Sequence, residues 1–170
     1  FGNMGRSFAR KLRGMECRVV AYDKYVQGYH GDEGVLEWTM DQVFEQADVV
    51  SLHLPFNEET NQLAQQDWLS AFKRPITLIN TARGGIVNTA HVLDAIDVQE
   101  IHGAALDVLE FERRSLEGLT SRSSELDRLL ANDRVVLSPH VAGWSVESYF
   151  KLSDVLADKI QNWQHALPST

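Results

Sequence analysis

Short apolar blocks alternate with amphipathic stretches along almost the whole chain. Cys17–Tyr22, Ala47–Leu54, Thr77–Ile79, Gly103–Leu106 and Val135–Leu137 are the blocks, closed in turn by Asp23, Pro55, Asn80, Asp107 and Ser138. Apolar runs of that length between turn residues predict buried strands, and a proline that cannot donate to a ladder ends the second. The stretches between them carry helical spacing. Phe8 and Leu12 share one face of a helix broken by Gly14. Thr39 is placed to cap a helix through Gln46, and Asp67–Phe72 is a short helical piece. Asn88 caps a helix through Ile96 with Val92, Leu93 and Ile96 facing inward, and Ser124–Leu130 suggests a helical turn. From Glu147 on, Tyr149, Leu152, Leu156, Ile160 and Trp163 recur on one face of a long closing helix, where their role is expected to be packing. Lys24–Gly34 and Phe111–Ser124 are polar and irregular.

Alternating strand and helix predicts an α/β domain, a doubly wound parallel sheet with helices on both faces, the Rossmann arrangement. The small residues of Gly103–Asp107 predict close packing against that strand. Composition narrows the class. The 170 residues suit one domain, and a net charge of -8 argues against a nucleic-acid partner, which needs clustered Lys and Arg. The run Arg10-Lys11-Leu12-Arg13 reads as the solvated face of a helix. No apolar run in these residues approaches a membrane span, and there is no signal-peptide pattern. Cys17 is the single cysteine, so no internal disulfide forms; it is expected to be a buried thiol opening its strand in a cytoplasmic protein.

The chemistry sits at strand ends. Arg83, Glu110 and His140 each follow an apolar block, and open α/β sheets bind ligands at the carboxyl ends of their strands. Singly, each has a plain reading as a solvated loop residue; their joint placement argues for an active site. No cluster of His, Cys or paired acids has metal-ligand spacing, and no metal site is expected.

A second signal stands at the start. Gly2-Asn3-Met4-Gly5 opens a helix, and Asp23 follows about twenty positions on at the end of the next strand, as in the dinucleotide fingerprint G-x-G-x-x-G. The glycines let backbone approach a pyrophosphate and the helix start offers unpaired N–H groups. Asp23 suits the adenosine ribose hydroxyls and repels a 2′-phosphate, which favours NAD over NADP. One further glycine and the strand before it fall outside these residues. Since that strand is central in the order 3-2-1-4-5-6, the expectation is that sequence beyond the 170 residues supplies it.

The ordered motifs His53-x-Pro55, Asn80-x-x-Arg83-Gly84, Asp107-x-x-Glu110 and Ser138-Pro139-His140-x-x-Gly143 resemble those of the D-isomer-specific 2-hydroxyacid dehydrogenases, a family that includes phosphoglycerate dehydrogenase and hydroxypyruvate reductase. The resemblance implies an NAD-dependent enzyme moving a hydride between nicotinamide C4 and C2 of a small D-2-hydroxy or 2-oxo acid. It implies that Arg83 binds the substrate carboxylate, a bidentate task suited to a guanidinium. It makes His140 the acid/base and Glu110 its partner, and a carboxylate beside an imidazole favours the protonated form. It places Asp107 and Gly143 at the nicotinamide amide, Thr81 and Ala82 along the nicotinamide side, and His53, Pro55 and Thr60 along the cofactor groove.

Residues 1–146 are then the cofactor domain, and 147–170 a helix returning toward a substrate domain that lies mostly outside this sequence. A homodimer is implied by resemblance alone. The chain departs from the family pattern at 111–124, which lacks the usual prolines, and at Trp144. An NAD(H)-sensing or corepressor-like protein of the same fold, without turnover, is the alternative of a different class, and an inert truncation a third.

Overall fold

A computed structural model describes residues 1–111 and 123–166, with side chains as far as Trp163. Twelve elements follow the predicted alternation: α1 (Asn3–Leu12), β1 (Val20–Ala21), β2 (Leu36–Glu37), α2 (Met40–Gln46), β3 (Val49–Leu52), α3 (Gln66–Leu69), β4 (Ile76–Asn80), α4 (Thr89–Asp97), β5 (Ile101–Leu106), α5 (Ser124–Ala131), β6 (Val135–Leu137) and α6 (Val146–Ala166). Most of the segment 111–124 lies outside the described residues.

All strand pairs are parallel. They form one sheet of β1 and β2 and another in the order β3-β4-β5-β6. Register runs Val49↔Thr77 to Leu52↔Asn80, Thr77↔Gly103 to Asn80↔Leu106, and Ala104↔Val135 to Leu106↔Leu137. That register brings the carboxyl ends of β4, β5 and β6 side by side, and with them the loops carrying Arg83, Glu110 and His140.

One face of the larger sheet holds the core. Leu52, Ile76, Leu78, Ala104 and Leu106 pack against Val43 of α2, Leu69 of α3, Val92, Leu93 and Ile96 of α4, and Leu126 and Leu129 of α5. Burying such a side chain stabilises by roughly 1.5–3 kcal/mol. On the other face Val49 is 59% and Val136 67% exposed. Caps fix the helix starts. Thr39 Oγ1 accepts from Gln42 N while the Gln42 side chain accepts from Thr39 N, a full capping box. Asn88 and Ser123 cap α4 and α5 through their side chains.

Gly103 explains the small-residue strand. A Cβ there would stand 2.3 Å from the Arg134 carbonyl oxygen, which accepts from Ala104 N at 3.0 Å. Side chains of any size would force β5 away from the chain entering β6.

One expectation is corrected. Cys17 is exposed, because the first strand is ordered as a ladder only at Val20–Ala21 and the thiol lies before it. Its partner β2 was not anticipated; it rests on the short apolar pair Val35-Leu36, of which Val35 is fully buried. The apolar face of α6 is not packed within the described residues: Leu152 is 70%, Leu156 60% and Trp163 64% exposed. The basic end of α1 is solvated as expected, with Arg10 and Arg13 both reaching Glu33 at the surface.

Candidate active site

The turn after β4 is held by Asn80, which is fully buried. Its Nδ2 donates to the Arg83 carbonyl at 3.0 Å and its Oδ1 accepts from Ala82 N at 3.0 Å. A single amide thereby satisfies both sides of the turn and presents Arg83 outward. The Arg83 guanidinium is exposed and donates to the Ala82 carbonyl at 2.6 Å. Thr81 is exposed and Ala82 half-buried beside it.

Gly84 is where the loops of β4 and β5 touch. A Cβ there would lie 2.0 Å from the Leu109 carbonyl oxygen and 2.7 Å from Glu110 N. The neighbouring Gly85 lies against the exposed Phe56 ring, 2.6 Å from where its Cβ would stand, and that side chain can shift. Gly84 is thus the glycine required by close approach to backbone, and it sets Arg83 next to the backbone of Glu110. The Glu110 carboxylate is half-buried: Oε1 accepts from Thr89 N at 2.9 Å, at the start of α4, and Oε2 from Gln62 Nε2 at 2.8 Å. A carboxylate at a helix start meets the positive end of its dipole.

Asp107 binds the β5 loop to the β6 loop. It is 4% exposed and accepts from Ser138 Oγ at 2.6 Å, Val141 N at 2.9 Å and Ala142 N at 3.0 Å. Burial alone would push its carboxyl up; the Ser138 hydroxyl, the Ala142 and Val141 amides and nearby His140 outweigh that and hold it below the ordinary aspartate range. Between those anchor points His140 is half-buried, with φ 56°, a left-handed backbone uncommon for a residue with a side chain. Its N–H donates to the Ser138 carbonyl at 3.0 Å. Gly143 is exposed, with its carbonyl accepting from Ser148 Oγ at 2.6 Å, and Trp144 beside it is 68% exposed.

The dinucleotide candidates occupy α1 and the ends of β1 and β3. Gly2 is the N-cap of α1 with no side-chain cap bond, and Asn3 and Met4 are exposed. The first amides of α1 therefore lack a capping side chain, and no atom stands within 4 Å of where a Gly2 Cβ would be. Gly5 is buried against His53; a Cβ on it would stand 3.7 Å from the His53 Cβ. His53 is half-buried, 3.0 Å from Ser51 Oγ through Nε2, with its ring 5.3 Å from that of Phe8. Burial lowers its pKa, so the neutral imidazole is favoured. Asp23, just past β1, accepts from Tyr25 N and Val26 N at 2.9 Å. Pro55 is exposed, and its carbonyl accepts from the buried Thr60 hydroxyl at 2.7 Å, which ties that loop together. Uncapped helix amides, an unobstructed Gly2 and a carboxylate just past the next strand are the donor and acceptor set a dinucleotide needs.

The sequence did not flag Gln62 or assign a task to Asn80. Asn80 stood inside a motif and was readable; Gln62 acts through residues distant in the chain. Among the described residues no group of three or more His, Cys, Asp and Glu side chains could hold a metal ion.

Comparison with known proteins identifies the family of this domain. The model of the family described as D-isomer specific 2-hydroxyacid dehydrogenase, NAD binding domain, matches residues 1–142. A D-lactate dehydrogenase of Streptococcus agalactiae is 33% identical over 153 residues, covering 86% of this chain and 46% of that protein. A D-3-phosphoglycerate dehydrogenase of Archaeoglobus fulgidus is 31% identical over 168 residues, 98% of this chain and 30% of its own length. The solved NAD complex of a D-isomer-specific 2-hydroxyacid dehydrogenase from Lactobacillus delbrueckii ssp. bulgaricus superposes with a TM-score of 0.82 at 29% identity, covering 98% of this chain and 52% of that one. The chain thus spans about half the length, or less, of the relatives it matches.

Proposed function

This chain belongs to the D-isomer-specific 2-hydroxyacid dehydrogenases, as their NAD-binding domain, and from that premise we propose that Arg83, Glu110 and His140 are the catalytic groups of an NAD-dependent oxidoreductase. The substrate is a small D-2-hydroxy acid or its 2-oxo partner. The observation that carries the reading is the adjacency of the three loops, joined by the Gly84–Leu109 contact and by the Asp107 bonds to the loop of His140.

In the reduction direction the Arg83 guanidinium receives the substrate carboxylate and polarises the 2-oxo group. A nicotinamide cofactor held by the residues named below would supply the hydride that C2 accepts. His140 delivers a proton to the carbonyl oxygen as that oxygen gains charge, and in oxidation it takes the proton back. Glu110 orients the imidazole and stabilises its protonated form. Gly2, Asn3, Met4 and Gly5 hold the pyrophosphate with the helix amides, and Asp23 the adenosine ribose. His53, Pro55 and Thr60 line the groove; Thr81, Ala82, Asp107 and Gly143 bound the nicotinamide end.

The finer parts of the reading are a cofactor domain over 1–146, a closing helix from 147 that meets the substrate domain, a homodimer, and a cytoplasmic setting. The family resemblance supports the domain division and the homodimer, and the single cysteine, Cys17, supports the setting. The sensing alternative is not favoured, since the relatives above are named as dehydrogenases. In the full-length protein, Arg83→Ala and His140→Ala are each expected to lower kcat/KM for 2-oxo acid reduction by about a hundredfold or more. Wild-type rates in either variant would remove the mechanism.

A further inference from the structure

Gln62 touches two of the three catalytic loops at once. Its backbone is left-handed, with φ 54°, a conformation that costs a non-glycine residue on the order of 1 kcal/mol. In that conformation its N–H donates to the Gly85 carbonyl at 2.8 Å, two residues past Arg83. Its side-chain Nε2 donates to Glu110 Oε2 at 2.8 Å, and its Oε1 accepts from Asn88 Nδ2 at 2.6 Å. The orientation of both amides is forced. Glu110 only accepts, so Nε2 must face it; Asn88 Oδ1 already accepts from His91 N at 2.9 Å, so Nδ2 is what remains for Gln62. The second Glu110 oxygen accepts from Thr89 N, which closes a ring of bonds through the start of α4.

We propose that Gln62 is a positioning residue of this active site, fixing the Glu110 carboxylate relative to the loop of Arg83. The inference rests on the catalytic reading above. A carboxylate that steers an imidazole has to be held in one place, and two donors on opposite oxygens do so. The strained backbone at Gln62 is the cost of aiming one residue at both loops.

Two variants of the full-length protein separate positioning from mere stability. Gln62→Met keeps the length of the side chain and removes both amide bonds. Gln62→Gly suits the positive φ, preserves the N–H donated to Gly85, and removes the side chain without straining the fold. Each is expected to lower kcat for 2-oxo acid reduction about tenfold or more, with KM and the NADH dissociation constant within about threefold of wild type. Gln62→Gly is expected to do so while its melting temperature holds. Unchanged kcat in Gln62→Gly, in a wild-type protein that turns over, would overturn this inference alone. A wild-type protein that binds NADH and reduces no 2-oxo acid would overturn the catalytic reading and this inference with it.

Discussion

Asp107 stays ionised although it is 4% exposed, because three donors converge on it. That makes it the staple of the loop bearing His140. Asn in its place offers one acceptor oxygen and points an amide at donors, so Asp107→Asn is expected to cost about 1.5–3 kcal/mol near neutral pH, read by chemical denaturation. The sign of the pH dependence follows from the lowered carboxyl. A depressed folded value stabilises fully above the unfolded aspartate pKa of about 4 and is lost as pH falls through the folded value. The gap between wild type and variant should therefore narrow below about pH 4; a gap that ignores pH would show that charge is not what the loop needs. At this scale the placement of Arg83, Glu110 and His140 just past three strands was legible from the apolar blocks before them. Gln62 was not, because its worth lies in Glu110 and Gly85, which meet it only once the chain has folded.

Elements were legible where pattern and cap agreed. Thr39 with Gln42, and Asn88 before Val92, Leu93 and Ile96, started helices where the sequence placed them. They were less legible where partners decide. β1 keeps only two residues of an apolar run, and among the described residues one strand pairs with it; β2 forms on the short apolar pair Val35-Leu36, too brief to predict a strand. Gly103 gives this scale its test. Its missing side chain lets β5 lie against the Arg134 carbonyl, so Gly103→Ala must move one against the other. Overpacking of this kind costs roughly 1–3 kcal/mol, and hydrogen exchange should speed up at Ala104 and Val135 more than at Leu78 of β4. Equal protection at all three would mean the backbone yields without cost.

For the whole molecule, alternation of strand and helix sufficed to predict a parallel α/β sheet, and the family match bears it out over residues 1–142. The sequence could not show how the apolar face of α6 is used, since periodicity marks a buried stripe without naming what covers it; within the described residues Leu156 and Trp163 stay exposed. The substrate is likewise unwritten in these loops, which hold Arg83, proposed above to receive a carboxylate, and little else that would sort one 2-oxo acid from another. The most direct test is to follow NADH oxidation by the full-length protein on pyruvate, hydroxypyruvate and phosphohydroxypyruvate, and to determine the configuration of the product. At least one of them is expected to be reduced to the D-2-hydroxy acid. Tight NADH binding with no turnover, or an L product, would contradict it.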